Sequence, residues 1–273
     1  MSRTTKRPFG QCRLCGALTE LTWEHTPPRA AFNNRRVVVA RFNQVIGLGP
    51  DETIKGEIEQ KGMGDYSLCG QCNNTTGQRY AKWFVWWCYQ AFELLDRTDG
   101  KPILSYPYYL YPLATIKQII TMFFTVNQIG FGEANPELVR FVLNRDAMYL
   151  SPRYRVFVYY NVEGGFRKSG IVAAGNIGAG GPGMRVFSEM NYPPLGYVLS
   201  YDGTIPNNRL YEISHFARYA YSEIKMLCLQ IPVLATHTWH PGDYRNKDEI
   251  RSDYNRNMEE MRRAASSKPE TDI

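Results

Sequence analysis

Residues 12–28 read CRLCGALTELTWEHTPP and residues 69–80 read CGQCNNTTGQRY. Both stretches open on Cys-x-x-Cys, and a turn of that spacing directs two thiolates at one point. Cys12, Cys15, Cys69 and Cys72 together can therefore complete a tetrahedral four-sulfur zinc site. Four sulfurs leave no open position, so the expected role of such an ion is to fold the segment around it. After the first pair, the stretch ALTELTWEHTPP from residue 17 reads as a strand ending at Pro27. After the second pair, Asn73 begins a proline-free helical stretch running to residue 97.

The zinc ion would thus pin a strand end carrying Glu24 and His25 against a helix start carrying Asn73. An acid, an imidazole and an amide oxygen meeting there could hold a hard divalent ion and a water. Histidine suits the base that takes the water's proton, because its ordinary pKa of about 6.5 leaves much of it neutral near pH 7. Neighbouring residues of a regular strand face opposite sides, so Glu24 and His25 share one site only if the strand bends between them, an ending that Pro27-Pro28 suits. The plainer readings are a surface or histidine-orienting carboxylate for Glu24 and helix N-capping for Asn73 and Asn74.

The order CxxC, Glu-His-x-Pro-Pro, CxxCN resembles the HNH endonucleases of the ββα-metal fold that carry a structural zinc, in particular their EHxPP subgroup. The resemblance covers roughly the first third of the chain. It implies that His25 is the general base, that Glu24 and Asn73 ligate a catalytic Mg²⁺ or Mn²⁺, and that Cys12, Cys15, Cys69 and Cys72 hold structural Zn²⁺. It further implies cleavage of DNA, with a double-stranded substrate expected. Many members carry an asparagine just before the second cysteine pair that steadies the metal loop. Here Gly64 and Asp65 stand at that place, so Asp65, or Asn43 in the insert, is expected to take the role. HNH modules fused to larger domains also resemble bacterial anti-phage or restriction effectors, whose appended domain senses a signal; that step is analogy alone.

Arg29, Arg35, Arg36 and Arg41 follow the strand with no acid among them, which suits phosphates flanking a scissile bond as well as a solvated basic loop. Lys6 and Arg7 are weaker candidates of the same kind. The net charge of +6 is compatible with a polyanionic partner. No apolar run is long enough for a signal peptide or a membrane span, so a cytoplasmic protein is expected. There cysteines stay reduced, which favours metal over disulfides. Cys88 and Cys228 read as buried thiols in apolar helical runs.

The expected fold class is α+β: a small zinc-bound ββα-metal module over residues 1–99, then a larger α+β domain with an antiparallel sheet over residues 100–273. Residues 112–131 and 136–150 read as helices, the second opened by Asn135 and Pro136 at N-cap and N1. Four β-branched and aromatic runs between residues 154 and 203 read as antiparallel strands. Residues 209–231 read as a helix or as a strand followed by a helix, and the charged segment from Lys247 as a helix. The glycine-rich residues 175–184 lack the Lys-Ser/Thr of a phosphate loop and read as a flexible hairpin or gate. His215, His237 and His240 are too few and too scattered to join the site.

The second domain is expected to serve targeting, assembly or regulation, through a homo-oligomer or a small-molecule or protein activator. Two other function classes fit the same residues. One is a non-catalytic zinc module that binds nucleic acid, and the other a nucleotide or signal sensor whose nuclease has degenerated.

Overall fold

A computed structural model describes residues 7–40, 56–97, 101–163, 165–174, 183–238 and 240–266. The N-terminal part is a three-stranded antiparallel sheet in the order β1 (Phe9–Gln11), β2 (Leu18–His25), β5 (Gly64–Cys69). β3 (Val37–Val39) and β4 (Glu57–Glu59) form a separate hairpin ladder from the insert. β2 pairs with β5 from Leu21↔Cys69 to His25↔Gly64, with an irregularity between Thr22 and Trp23 that takes up one extra residue of β5. Cys69 then caps α1 (Gly70–Thr76), its sulfur accepting from the Cys72 amide. A π-helical turn (Gly77–Ala81) leads without a break into α2 (Lys82–Arg97). The proline-free run gives one long rod, whose inner stripe of Phe84, Trp87, Cys88 and Ala91 is buried.

β6 (Ile103–Leu110) follows, then α3 (Pro112–Val126), started by proline at N1 and buried along every residue to Thr125. Even Lys117 is inside. Its Nζ donates to the carbonyls of Phe141 and Asn144 at 2.7 and 2.5 Å, and burial pulls its pKa down to about 7. α4 (Phe131–Ala134) and α5 (Pro136–Leu143) come next. A five-stranded antiparallel sheet has the order β11 (Tyr211–Glu212), β7 (Arg155–Tyr160), β10 (Leu195–Ser200), β9 (Arg185–Tyr192), β8 (Arg167–Ala174). Alternate residues of β7 enter two clusters: Val156, Val158 and Tyr160 join the main core, while Phe157 and Tyr159 join a second one with Tyr244 and Leu210. β12 (Lys225–Pro232) pairs along the whole of β6, and α6 (Lys247–Ser266) ends the described chain.

The molecule is therefore mixed α+β with antiparallel sheets and a four-cysteine cluster near its N-terminus. The expected boundary at residue 99 falls within 98–100, outside the described residues. One buried cluster runs across it, from Cys12 and Leu14 through Trp87 to Ile231.

Several local expectations need correction. Residues 209–231 form β11, a 3₁₀ turn (Ser214–Arg218) and β12, because the apolar residues of 225–232 pair with β6, a strand not foreseen. Cys228 is consequently exposed on a strand and not buried in a helix. The third helix stops at Val126, where the Asn127 side chain turns back onto the Phe123 carbonyl. Asn135 stands at the N-cap of α5, but its amide donates backwards to the Phe131 carbonyl and makes no cap bond. Among the described residues no helix is long and apolar enough to cross a membrane.

Candidate metal centre and catalytic strand

Two knuckles build the cysteine cluster. Gly16, with φ of +77°, lets the first turn close, its amide reaching the Cys12 carbonyl at 2.8 Å. The amides of Cys69 and Cys72 point at sulfur, at Cys12 Sγ (3.3 Å) and Cys69 Sγ (3.4 Å). All four sulfurs lie within 4.8 Å of one another, and Cys15 and Cys69 are 3.8 Å apart. A tetrahedron of Zn–S bonds of about 2.3 Å has edges of about 3.8 Å, so the quartet fits zinc. Its electrostatics point the same way. A hydrogen bond from Cys72 holds the Cys12 thiol down to about 4 and drives that of Cys72 far up, because four thiolates this close cannot ionise together without a cation. Among the described residues this is the only cluster of three or more His, Cys, Asp or Glu ligands.

The strand after the first knuckle carries Glu24 and His25, and its faces alternate. The His25 ring lies on the Trp23 side, 6.4 Å from that indole. Thr22 and Thr26 mark the other side: Thr22 Oγ1 accepts from Asn73 Nδ2 at 3.0 Å, and Thr26 Oγ1 meets Thr125 Oγ1 at 2.6 Å. Glu24 lies between them on this second face, opposite Asp65 on β5. The ladder continues through His25, so the bend expected between Glu24 and His25 does not occur; the chain turns only at Thr26. Structure thus brings Glu24 to the side of Asn73, one strand repeat away, and leaves His25 at the strand end on the opposite face.

Each group has a distinct environment. The Glu24 carboxyl is half-buried and has no hydrogen-bond or ion-pair partner among the described residues, and desolvation raises its pKa to about 7. Asn73, also half-buried, commits Nδ2 to Thr22 and, at 3.4 Å, to the Trp23 carbonyl; its Oδ1 meets no donor among the described residues. Asn74 is exposed. His25 Nε2 faces the Lys61 carbonyl at 3.1 Å. A carbonyl only accepts, so the hydrogen sits on Nε2 and the lone pair on Nδ1. Burial lowers the His25 pKa, the Lys61 carbonyl opposes that, and the charges of Arg29 and Lys61 lower it further.

Among the described residues Asp65 does not take the expected loop-fixing role. Asp65 is engaged by Arg13 at 2.7 Å, and Asn43 lies outside the described residues. Fully buried Asn33 takes the role. Its Nδ2 donates to the carbonyls of Pro27 and Met63, and its Oδ1 accepts from the Met63 amide, at 2.6–2.7 Å. Gly62 passes so close that a Cβ there would stand 2.3 Å from the Asn33 carbonyl. The sequence signal was weak, since Asn33 and Met63 stand 30 positions apart at opposite ends of the segment between the cysteine pairs.

Arg29, Arg35 and Arg36 are exposed, and none is in an ion pair among the described residues; Arg7 is exposed as well. Lys6, Arg41 and most of the glycine-rich segment (175–182) lie outside the described residues. His237 pairs with Glu163 at 3.0 Å, His215 packs edge-on to Phe216, and His240 is exposed; none approaches the cysteines. Compared with family models, curated proteins and solved structures, the chain matches none.

Proposed function

We propose that the chain is a metal-dependent endonuclease of the HNH kind, hydrolysing phosphodiester bonds in nucleic acid, with Zn²⁺ held by Cys12, Cys15, Cys69 and Cys72 as its scaffold. The observation that carries this reading is the Glu24 carboxyl, without a partner among the described residues, on the β2 face that Asn73 joins through Thr22, with an oriented imidazole as the next residue of the strand. A desolvated carboxyl without a donor is costly as an ion unless a cation meets it. Carboxylate and amide oxygens are ligands that Mg²⁺ or Mn²⁺ accepts.

Glu24 and Asn73 would hold that ion, which would supply positive charge to the phosphoryl oxygens of a phosphodiester spanning the end of β2 between the Glu24 face and His25. His25 Nδ1 takes the proton of the attacking water. The Lys61 carbonyl keeps the ring in place and accepts from Nε2–H of the imidazolium that forms. Asn33 holds the turn between β2 and the Lys61 segment, so the imidazole and its acceptor stay in register. Arg29, Arg35 and Arg36 contact flanking phosphates, and the larger part of the chain serves targeting.

Plasmid and oligonucleotide cleavage with added Mg²⁺ or Mn²⁺ tests the reading. His25→Ala is expected to lower the rate by about 100-fold or more, the usual share of a general base; equal rates in the two proteins remove His25 from the chemistry. A second reading, a non-catalytic zinc module that binds nucleic acid, is favoured by the opposite-facing side chains of Glu24 and His25. It predicts retained binding with no turnover in either metal.

A further inference from the structure

Among the described residues Phe32 alone, glycines aside, has positive φ, at +65°. A bulky side chain is strained in this left-handed region, and such strain persists only where the surroundings fix it. They do so here. The Phe32 carbonyl accepts from Tyr192 Oη at 3.2 Å, and the next residue is the triply bonded Asn33. The result is a half-buried aromatic ring that packs against the main core. It lies 4.9 Å from Tyr89 and 5.2 Å from Phe92, tilted by 39° and 43°. Those two rings stand on α2 and are 48% and 49% exposed, so a hydrophobic shelf faces solvent.

Phe32 belongs to the same loop as Arg29, Arg35 and Arg36, none of which is in an ion pair among the described residues. Arg29 is close enough to depress the His25 pKa, and Arg35 close enough to act on Tyr192, which holds Phe32. Half-exposed rings near arginines that form no ion pair among the described residues suit one chemistry, a polyanion with exposed π-faces. A second copy of the same surface would set arginines against arginines, which is unfavourable. Duplex DNA hides its base faces and has no use for the rings. Glu93 and Asp96, exposed further along α2, repel phosphate and mark the end of the track.

We propose that Phe32, Tyr89 and Phe92 form a stacking platform for unpaired bases, and that Arg29, Arg35 and Arg36 hold the phosphates of that strand, so the preferred substrate is single-stranded or frayed nucleic acid. The inference rests on the phosphodiesterase reading for the direction of the strand towards His25; binding itself needs no turnover.

Fluorescence anisotropy of the zinc-loaded full chain without added Mg²⁺ or Mn²⁺ tests it, with labelled oligo-dT, oligo-rU and a duplex of equal length as probes. Wild type is expected to prefer a single strand, and the oligo-dT and oligo-rU arms report whether DNA or RNA binds better. Tyr89→Ala/Phe92→Ala should weaken single-strand binding about tenfold or more and leave duplex binding unchanged. Tyr89→Leu/Phe92→Leu, which keeps apolar bulk and guards against a folding defect, should lose as much, whereas Tyr89→Phe/Phe92→Tyr should bind as wild type does. Unchanged single-strand affinity in the leucine pair overturns the proposal. So does an equal loss on duplex, or a change confined to sedimentation, which would mean that the shelf joins two copies. Ring-dependent binding without cleavage in Mn²⁺ would leave the platform standing and dismiss the phosphodiesterase; cleavage with ring-independent binding would do the reverse.

Discussion

Glu24 illustrates how a single desolvated side chain can oppose folding. Its carboxyl is raised from 4.5 to about 7 by desolvation, so the folded state holds the proton more tightly than the unfolded one. The penalty is absent below pH 4.5, grows between 4.5 and 7, and above that is about 3 kcal/mol, at ~1.4 kcal/mol per pH unit. Glu24→Gln should therefore stabilise the protein at pH 8 by up to about 3 kcal/mol in urea unfolding and change little at pH 4. Added Mn²⁺ should stabilise wild type at pH 8 but not the variant. On the other face of the strand, Arg29 lowers the His25 pKa. The base must be neutral to act, so activity should fall on the acid side as pH drops through that pKa. Arg29→Gln removes a positive charge, favours the imidazolium, and should move this limb of the rate–pH profile to higher pH. A limb that stays in place would detach Arg29 from the site.

The elements around the cysteines are short. β1 has three residues and α1 seven, too few to be stable alone. Sulfur fixes where they meet: the Cys69 and Cys72 amides spend their hydrogens on thiolates and the knuckle at Gly16 closes only with its left-handed backbone. Zinc supplies about 10–16 kcal/mol in isolated finger peptides. Its removal by a chelator, or Cys69→Ser, should therefore release β1, β2 and the start of α1 first. Hydrogen exchange should show those amides losing protection while β7 and β10 keep theirs; zinc content unaltered in Cys69→Ser with protection intact would exclude the tetrahedral set. β6 and β12 teach the opposite lesson about elements. Residues 225–232 are apolar enough for a helix or a strand, and only a partner strand 115–130 residues away selected the strand.

Across the whole molecule, the site is held from outside the first ninety-nine residues. Arg13 bridges Asp65 to the Thr125 carbonyl at the end of α3, and Thr26 meets Thr125. The main core draws on both sides of the expected boundary. Residues 1–99 expressed alone should consequently lack cooperative unfolding even when zinc is bound; a sharp transition would show an autonomous module. Further away, Glu189 is fully buried and accepts from Arg167, Tyr159, Tyr244 and the Gly242 amide. Glu189→Gln leaves the Arg167 guanidinium uncompensated under the sheet and should cost about 3–5 kcal/mol in urea unfolding.

The chemistry of the zinc quartet, the strand ending at the prolines, the α+β class and the antiparallel strands of 155–200 followed from the amino-acid order alone. Each depends on short-range spacing: two residues between sulfurs, two along a strand, a missing amide hydrogen at proline. Position across the fold did not. That Asn33 and not Asp65 locks the turn, that Asn73 meets Thr22 on the Glu24 face while His25 meets Lys61, and that Phe32 meets Tyr89 and Phe92 depend on which segments pack together. Those contacts join residues 30 to 60 positions apart, where burial and register decide the partner and no local pattern encodes it.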